Sequence, residues 1–248
     1  MKTLLIVSGG IEAADAARRA REMGLHVVVS DMDPNAPGFG YAHDRLIADV
    51  YGAEDTAQVA ERYVREKRKI DGVLCVAADA PITAALVAQR LKLPGISLES
   101  ARLACDKLAM KRRFRECGVP VPWFAPIASA GELKHLIAER GSDLVIKPAD
   151  SRGSRGVQRL ARVDDLNAAF ALAQKHSPSG RVMVESYLSG PQVSTESIVT
   201  GGHCYTPGFS DRNYELLEVH APFFIENGGD LPSHLPAHIQ ERVKDVVA

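Results

Sequence analysis

Lys147 ends an apolar stretch, Leu144-Val145-Ile146, and leads into Pro148-Ala149-Asp150-Ser151-Arg152-Gly153-Ser154-Arg155-Gly156-Val157. A loop of this kind offers an anion free backbone N–H groups, two hydroxyls and two guanidinium groups beside the lysine ammonium. A triphosphate suits it. No G-K-[ST] opens a helix after it, so it is not a Walker A loop. A solvated basic hairpin loop is the other reading that composition leaves open.

A second candidate is Glu185-Ser186-Tyr187-Leu188-Ser189-Gly190-Pro191-Gln192, a strand running into a turn. Backbone groups at such a crossover can read an adenine edge, and a polar side chain a few residues on can reach ribose hydroxyls; taken alone, the segment is a turn. A third is the glycine turn Ser8-Gly9-Gly10-Ile11-Glu12-Ala13 with Asp31 after the next strand. Laid on the dinucleotide fingerprint, Ser8 replaces the first glycine and Ala13 takes the third position, so a nicotinamide site is poorly supported and a tight βα turn explains the glycines as well. The eight histidines form no metal pattern: His234 and His238 are four apart, with Pro236 between them. Neither a G-x-S-x-G elbow nor an H-E-x-x-H motif is present.

These segments need elements to hold them. At 248 residues the chain suits one large domain or two small ones. Its 46% hydrophobic and 25% charged residues disfavour disorder and fibrous repeats. Thirty Lys and Arg against 31 Asp and Glu leave a net charge of -1, so no global field draws the chain to nucleic acid or an anionic membrane. Any phosphate must be held locally. Cys75, Cys105, Cys117 and Cys204 are scattered without a C-x-x-C pair, which argues against a zinc site or disulfide framework and implies a reducing, cytoplasmic setting. The apolar opening stops at Val7, too short for a signal peptide, and reads as a first strand. No run approaches the ~18 apolar residues of a membrane span.

Strands and helices alternate over the first hundred residues: a strand over 3–8, a helix over 11–23, a strand at 26–29, a strand near 45–49, a helix from about Asp55, a strand over 73–77, and a helix from Pro81. That alternation implies a parallel sheet covered on both faces. Asp33 to Gly38 reads as a loop, and Ser97 to Glu116 as helical. A domain boundary is expected near residue 105. Beyond it the pattern is α+β with antiparallel strands: a helix announced by the Ser129-x-x-Glu132 capping box, strands at 144–147 and 157–160, a helix from about Asp164, a strand over 181–185, and a hairpin around Gly201-Gly202. Ile239, Val243, Val246 and Val247 fall on one face of a helix after Pro236 with no glycine cap before Ala248, so the expectation is of a chain cut within an element.

In order and spacing, three segments resemble the ATP-grasp superfamily, which includes biotin carboxylase, the carbamoyl phosphate synthase large chain, D-alanine:D-alanine ligase and the L-amino-acid ligases. They are Asp106-Lys107 with Met110-Lys111 and Gly118-Val119-Pro120-Val121-Pro122; Val145 to Val157; and Val184 to Pro191. The resemblance covers essentially the whole chain. It implies an α/β fold, with a Rossmann-like parallel-sheet pre-ATP-grasp domain over 1–104 and an α+β ATP-grasp domain over 105–248 that lacks its C-terminal part.

By resemblance, Lys107 and Lys147 contact ATP phosphates, and the loop carrying Ser151, Gly153, Ser154, Arg155 and Gly156 folds over them as a mobile lid. Glu185, Ser186 and Leu188 match the hinge segment whose backbone groups read adenine. Gln192 stands where many members carry a ribose-binding glutamate; its amide can still bond to a hydroxyl. In the family, the acidic residues that hold Mg²⁺ come from a later strand-rich segment, so Mg²⁺ is expected for the complete enzyme, with no metal ligand and no catalytic residue assigned here. His220, six residues before Glu226, lies near the place of a nucleotide-contacting histidine and receives no role.

The implied chemistry is phosphorylation of a carboxylate by ATP to an acyl phosphate, then attack by an amine or another nucleophile. The expected function is the ATP-binding portion of such a carboxylate-amine ligase, inactive alone, with small-molecule carboxylate and amine substrates and neither nucleic acid nor membrane as partner. Two alternatives stand beside it. One is a non-catalytic regulatory or interaction module whose exposed apolar patch is covered by a homodimer partner or a complementary chain; the other is a Rossmann-type NAD-binding protein.

Overall fold

A strand buried on both faces is apolar throughout rather than alternating, and the runs Leu4 to Val7 and Val27 to Val29 are of that kind. They form β1 (Thr3–Val7) and β2 (His26–Asp31), which pair in parallel with Leu5 opposite Val28. With β3 (Asp44–Ile47) and β4 (Gly72–Cys75) they make a parallel sheet in the order β3-β2-β1-β4. Helix α1 (Ile11–Glu22) covers one face, where Ala17 and Ala20 meet Ile6, Val27 and Val29. Helices α2 (Ala53–Glu66) and α3 (Pro81–Arg90) cover the other, where Ala57, Ala60 and Val87 enclose Leu5 and Val28. Helix α4 (Leu98–Cys105) completes this unit, Met1–Cys105; the second is Asp106–Ala248, and the computed structural model describes all of residues 1–248.

The glycine turn after β1 is closed by its own neighbours. Asp31 accepts from the Gly9 N–H at 2.7 Å and from the Asp33 N–H at 3.0 Å, so the carboxylate considered for a ribose is engaged by the local backbone. The Gly9 carbonyl accepts from the Gly38 N–H at 2.8 Å, and a Cβ on Gly38 would stand 2.9 Å from the Gly9 Cα. This close approach folds part of the expected loop into a turn of 3-10 helix, Pro37–Gly40.

In the second unit, the helical stretch expected over Ser97 to Glu116 is broken at Asp106. Its carboxylate accepts from the Ala109 N–H at 3.0 Å and starts a new helix, α5 (Lys107–Glu116). Then come β5 (Phe124–Ile127), α6 (Ala130–Arg140), β6 (Leu144–Pro148), β7 (Gln158–Arg159), α7 (Leu166–Lys175) and β8 (Val182–Ser186), with an antiparallel sheet in the order β5-β8-β6-β7. Ser129 caps α6 as expected, accepting from the Glu132 N–H, but Glu132 bonds back to the Ala128 N–H rather than to that of Ser129. The strand expected over 157–160 shrinks to two residues because Leu160 turns into the core and begins a 3-10 turn.

Gly201 and Gly202, both at positive φ, join β9 (Gln192–Thr200) to β10 (His203–Arg212) in a two-residue hairpin loop. With β11 (Gly229–Asp230) these form a three-stranded sheet, and α8 (Ala237–Val247) follows. No helix is long and apolar enough to cross a membrane.

Candidate functional site

Side-chain alternation along β6 and β8 builds the floor of the site. Leu144 and Ile146 enter the core with Val182 and Val184, which turns Val145 and Lys147, and likewise Met183 and Glu185, to the opposite face. In the antiparallel register Val145 lies opposite Glu185 and Lys147 opposite Met183, so Lys147 and Glu185 are diagonal neighbours. They form an ion pair through Glu185 Oε1. Helix α5 lies over the same face, with Leu108 packed on Phe124, Ala149 and Met183. Its Lys107 and Lys111 are one turn apart. Lys111 Nζ stands 2.8 Å from Glu185 Oε2, while Lys107 Nζ donates to the Ser151 carbonyl and the Lys107 N–H donates to the Ala149 carbonyl at 2.8 Å.

Between these groups and the turn after β8 lies a cavity of about 570 Å³, within the ~300–1,000 Å³ of ligand pockets. Lys107, Lys147, Ser151, Gly153, Ser154 and Arg155 line one side; Glu185, Ser186, Leu188 and Gln192 line another, with Tyr187, Tyr214 and Phe224. Gly156 is not in the lining. At φ +73°, a Cβ on it would meet Ala173, His176 and Pro148 at 3.2 Å, so it anchors the end of the loop against α7. Gly153 is also left-handed, at φ +64°, with only the Arg155 side chain nearby.

The segment after β8 is partly committed to the fold. The Ser186 N–H donates to the Trp123 carbonyl at 2.9 Å and the Tyr187 N–H to the Asp143 carbonyl at 3.1 Å, so Leu188 is the first residue past these bonds. The Tyr187 ring is held by the Arg159 guanidinium 3.9 Å from its centroid and by Phe224 at 6.3 Å. It gives the cavity an aromatic wall.

Burial, then the charge of Lys147, holds the Lys107 ammonium below the ordinary lysine range. Burial also lowers Lys147, against the pull of Glu185. Burial alone would raise Glu185, but Lys147 and Lys111 bring its carboxyl below the usual range. With Arg152 and Arg155 also in the lining, positive charge exceeds negative around the cavity. A brace supports the loop from below. Asp150 accepts from the Ser177 hydroxyl at 2.5 Å and the Ser179 N–H at 3.1 Å, and Arg181 pairs with Asp106 at 2.8 Å.

Sequence reasoning gave no individual role to Lys111, Asp150, Arg181 or Tyr187. The four-residue spacing of Lys107 and Lys111 on a helix signalled that both face one way. Arg181 carried no such signal, because it reaches Asp106 only through the tertiary fold. The residues present do not fit Mg²⁺. No group of three or more His, Cys, Asp or Glu stands together, and Glu185, the one carboxylate lining the cavity, is committed to two ammonium groups, whereas this cation takes an octahedral set of oxygens.

Residues 17–95 match the ATP-grasp N-terminal domain. The chain is 29% identical over 256 residues to the uncharacterized protein y4rH of Sinorhizobium fredii, covering 99% of this chain and 51% of that one. It is 31% identical over 118 residues to a D-alanine--D-alanine ligase of Marinobacter nauticus, covering 46% of this chain and 34% of the ligase. Among solved structures it superposes on the carboxyaminoimidazole ribonucleotide synthase of Aspergillus clavatus, determined with ATP, at a TM-score of 0.79 and 16% identity, covering 99% of this chain and 61% of the synthase. The chain thus spans about half the length of the relative that it matches end to end.

Proposed function

Because the chain is a member of the ATP-grasp superfamily, we propose that its second unit binds ATP in the Lys107–Lys147 cavity, as the nucleotide-binding portion of a ligase joining a small-molecule carboxylate to an amine. The observation that carries this reading is that Lys107, Lys147 and the loop from Ser151 to Arg155 line one cavity. The two ammonium groups neutralise a polyphosphate, and the loop adds N–H and hydroxyl donors. Tyr187, Leu188 and Phe224 offer an apolar wall to a base, and the Gln192 amide suits a ribose hydroxyl.

Bound ATP supplies the γ-phosphoryl group, which passes to a carboxylate oxygen with ADP departing, and the amine then attacks the acyl carbon and displaces inorganic phosphate. The lysines stabilise the negative charge of that group, and the loop excludes water from it. No step is assigned to Mg²⁺, for which the cavity has no carboxylate set.

Calorimetric titration of the wild type and Lys147→Ala with ATP and with NADH tests the reading. The expected result is ATP binding weakened at least about tenfold by the substitution, the equivalent of one charge-assisted hydrogen bond, with no NADH binding. Tight NADH binding, with ATP affinity indifferent to Lys147, overturns it.

A further inference from the structure

Glu185 is an internal competitor for the anion of the site. Its Oε1 holds Lys147, and any polyphosphate that recruits Lys147 must draw the ammonium away from that oxygen. A carboxylate abandoned in this way is costly, because its side chain is only 13% exposed and water cannot replace the lost partner. Its other oxygen accepts no hydrogen bond of good geometry, but the Lys111 ammonium stands 2.8 Å from it as an ion-pair partner.

We propose that Lys111 is a positioning residue for the nucleotide site: by keeping the Glu185 carboxylate paired, it releases Lys147 to engage polyphosphate. The inference rests on the ATP-site reading above and deepens it. Lys111 does not line the cavity, so it acts through Glu185 rather than on the ligand. Its ammonium has no other carboxylate partner, lies 5.9 Å from the Phe124 centroid, and sits on a side chain 12% exposed. A surface lysine placed for solubility would not be buried against an acid that already has a cation. The helical spacing completes the device, because the turn of α5 that brings Lys107 to Ser151 brings Lys111 to the far side of Glu185. The depressed titration of Glu185, which both lysines produce, fits a carboxylate that stays charged whichever of them holds it.

The test is calorimetric titration of the full chain with ATP and with inorganic tripolyphosphate at fixed salt. Lys111→Gln is expected to weaken both about tenfold, the loss of one buried ion-pair partner of Glu185, while Lys111→Arg keeps affinity within about threefold, as a cation of similar reach does. The decisive comparison is K111Q/E185Q against E185Q alone, which removes the buried unpaired carboxylate and so does not depend on K111Q folding. With no carboxylate to share, the two are expected to bind equally; a tenfold deficit in the double variant overturns the inference. Unchanged affinity in K111Q, with the wild type binding, overturns it while leaving the site reading intact. Absence of tripolyphosphate and ATP binding in the wild type overturns both.

Discussion

Lys107 donates from Nζ to the carbonyl oxygen of Ser151, so the first turn of α5 is tied directly to the loop after β6. The lysine and the loop therefore share one anchor, and what shifts the start of the helix shifts the mouth of the cavity. Asp106 sets that start, with one oxygen capping the Ala109 N–H and the other 2.8 Å from Arg181.

Asp106→Ala is expected to lower stability by about 1 kcal/mol through loss of the cap, and to weaken ATP binding several-fold because Lys107 loses its fixed origin. Arg181→Met keeps the cap and is expected to show a smaller loss of stability with a similar loss of affinity. Thermal melts and calorimetric titrations of the two variants check this. Full affinity in Asp106→Ala means that the cap does not position Lys107.

The two loop glycines separate conformation from crowding. Both are left-handed, but a Cβ at Gly156 meets three carbon atoms at 3.2 Å, whereas at Gly153 it meets only the mobile end of Arg155 at 3.8 Å. Gly153→Ala is expected to cost about 1 kcal/mol, the left-handed penalty of an L-residue, and Gly156→Ala a further ~1–3 kcal/mol from overpacking. Equal urea midpoints for the two variants contradict the role of Gly156 as the loop's anchor.

Glu185 gives stability a pH signature. Its folded carboxyl titrates below the unfolded one, because Lys147 and Lys111 outweigh the effect of burial. Such a group stabilises the fold fully above the ordinary carboxylate range and loses that contribution as pH falls through the depressed folded value. The stability advantage of wild type over Glu185→Gln is therefore expected to shrink as pH falls below the ordinary carboxylate range of about 4 and on through the depressed folded value. Asp106 and Asp150, also held below the usual range, are common to both proteins and cancel in the difference. A difference that stays constant on acidification contradicts the ion-pair account.

Much of this arrangement is legible in the sequence, and the exceptions share a cause. The parallel sheet of the first unit follows from continuous apolar runs such as Val27 to Val29, because burial on both faces leaves no other pattern. Lys147 and its loop stand out by residue type, and the alternation Val182, Val184 against Met183, Glu185 already aims Glu185 away from the core. Its capture by two lysines is not legible, since that depends on the register of β6 against β8 and on α5 crossing the same face. The break at Asp106 is hidden for a similar reason. Helical residues continue on both sides, and only the bonds of Asp106 to Ala109 and Arg181 divide the stretch.

The most direct measurement is a crystal structure of the chain with a non-hydrolysable ATP analogue. Polyphosphate oxygens within hydrogen-bond distance of both Lys107 Nζ and Lys147 Nζ, with the Glu185 carboxylate still on Lys111, is the result expected. An analogue bound at the Gly9-Gly10 turn, or a polyphosphate that touches neither ammonium group, contradicts it.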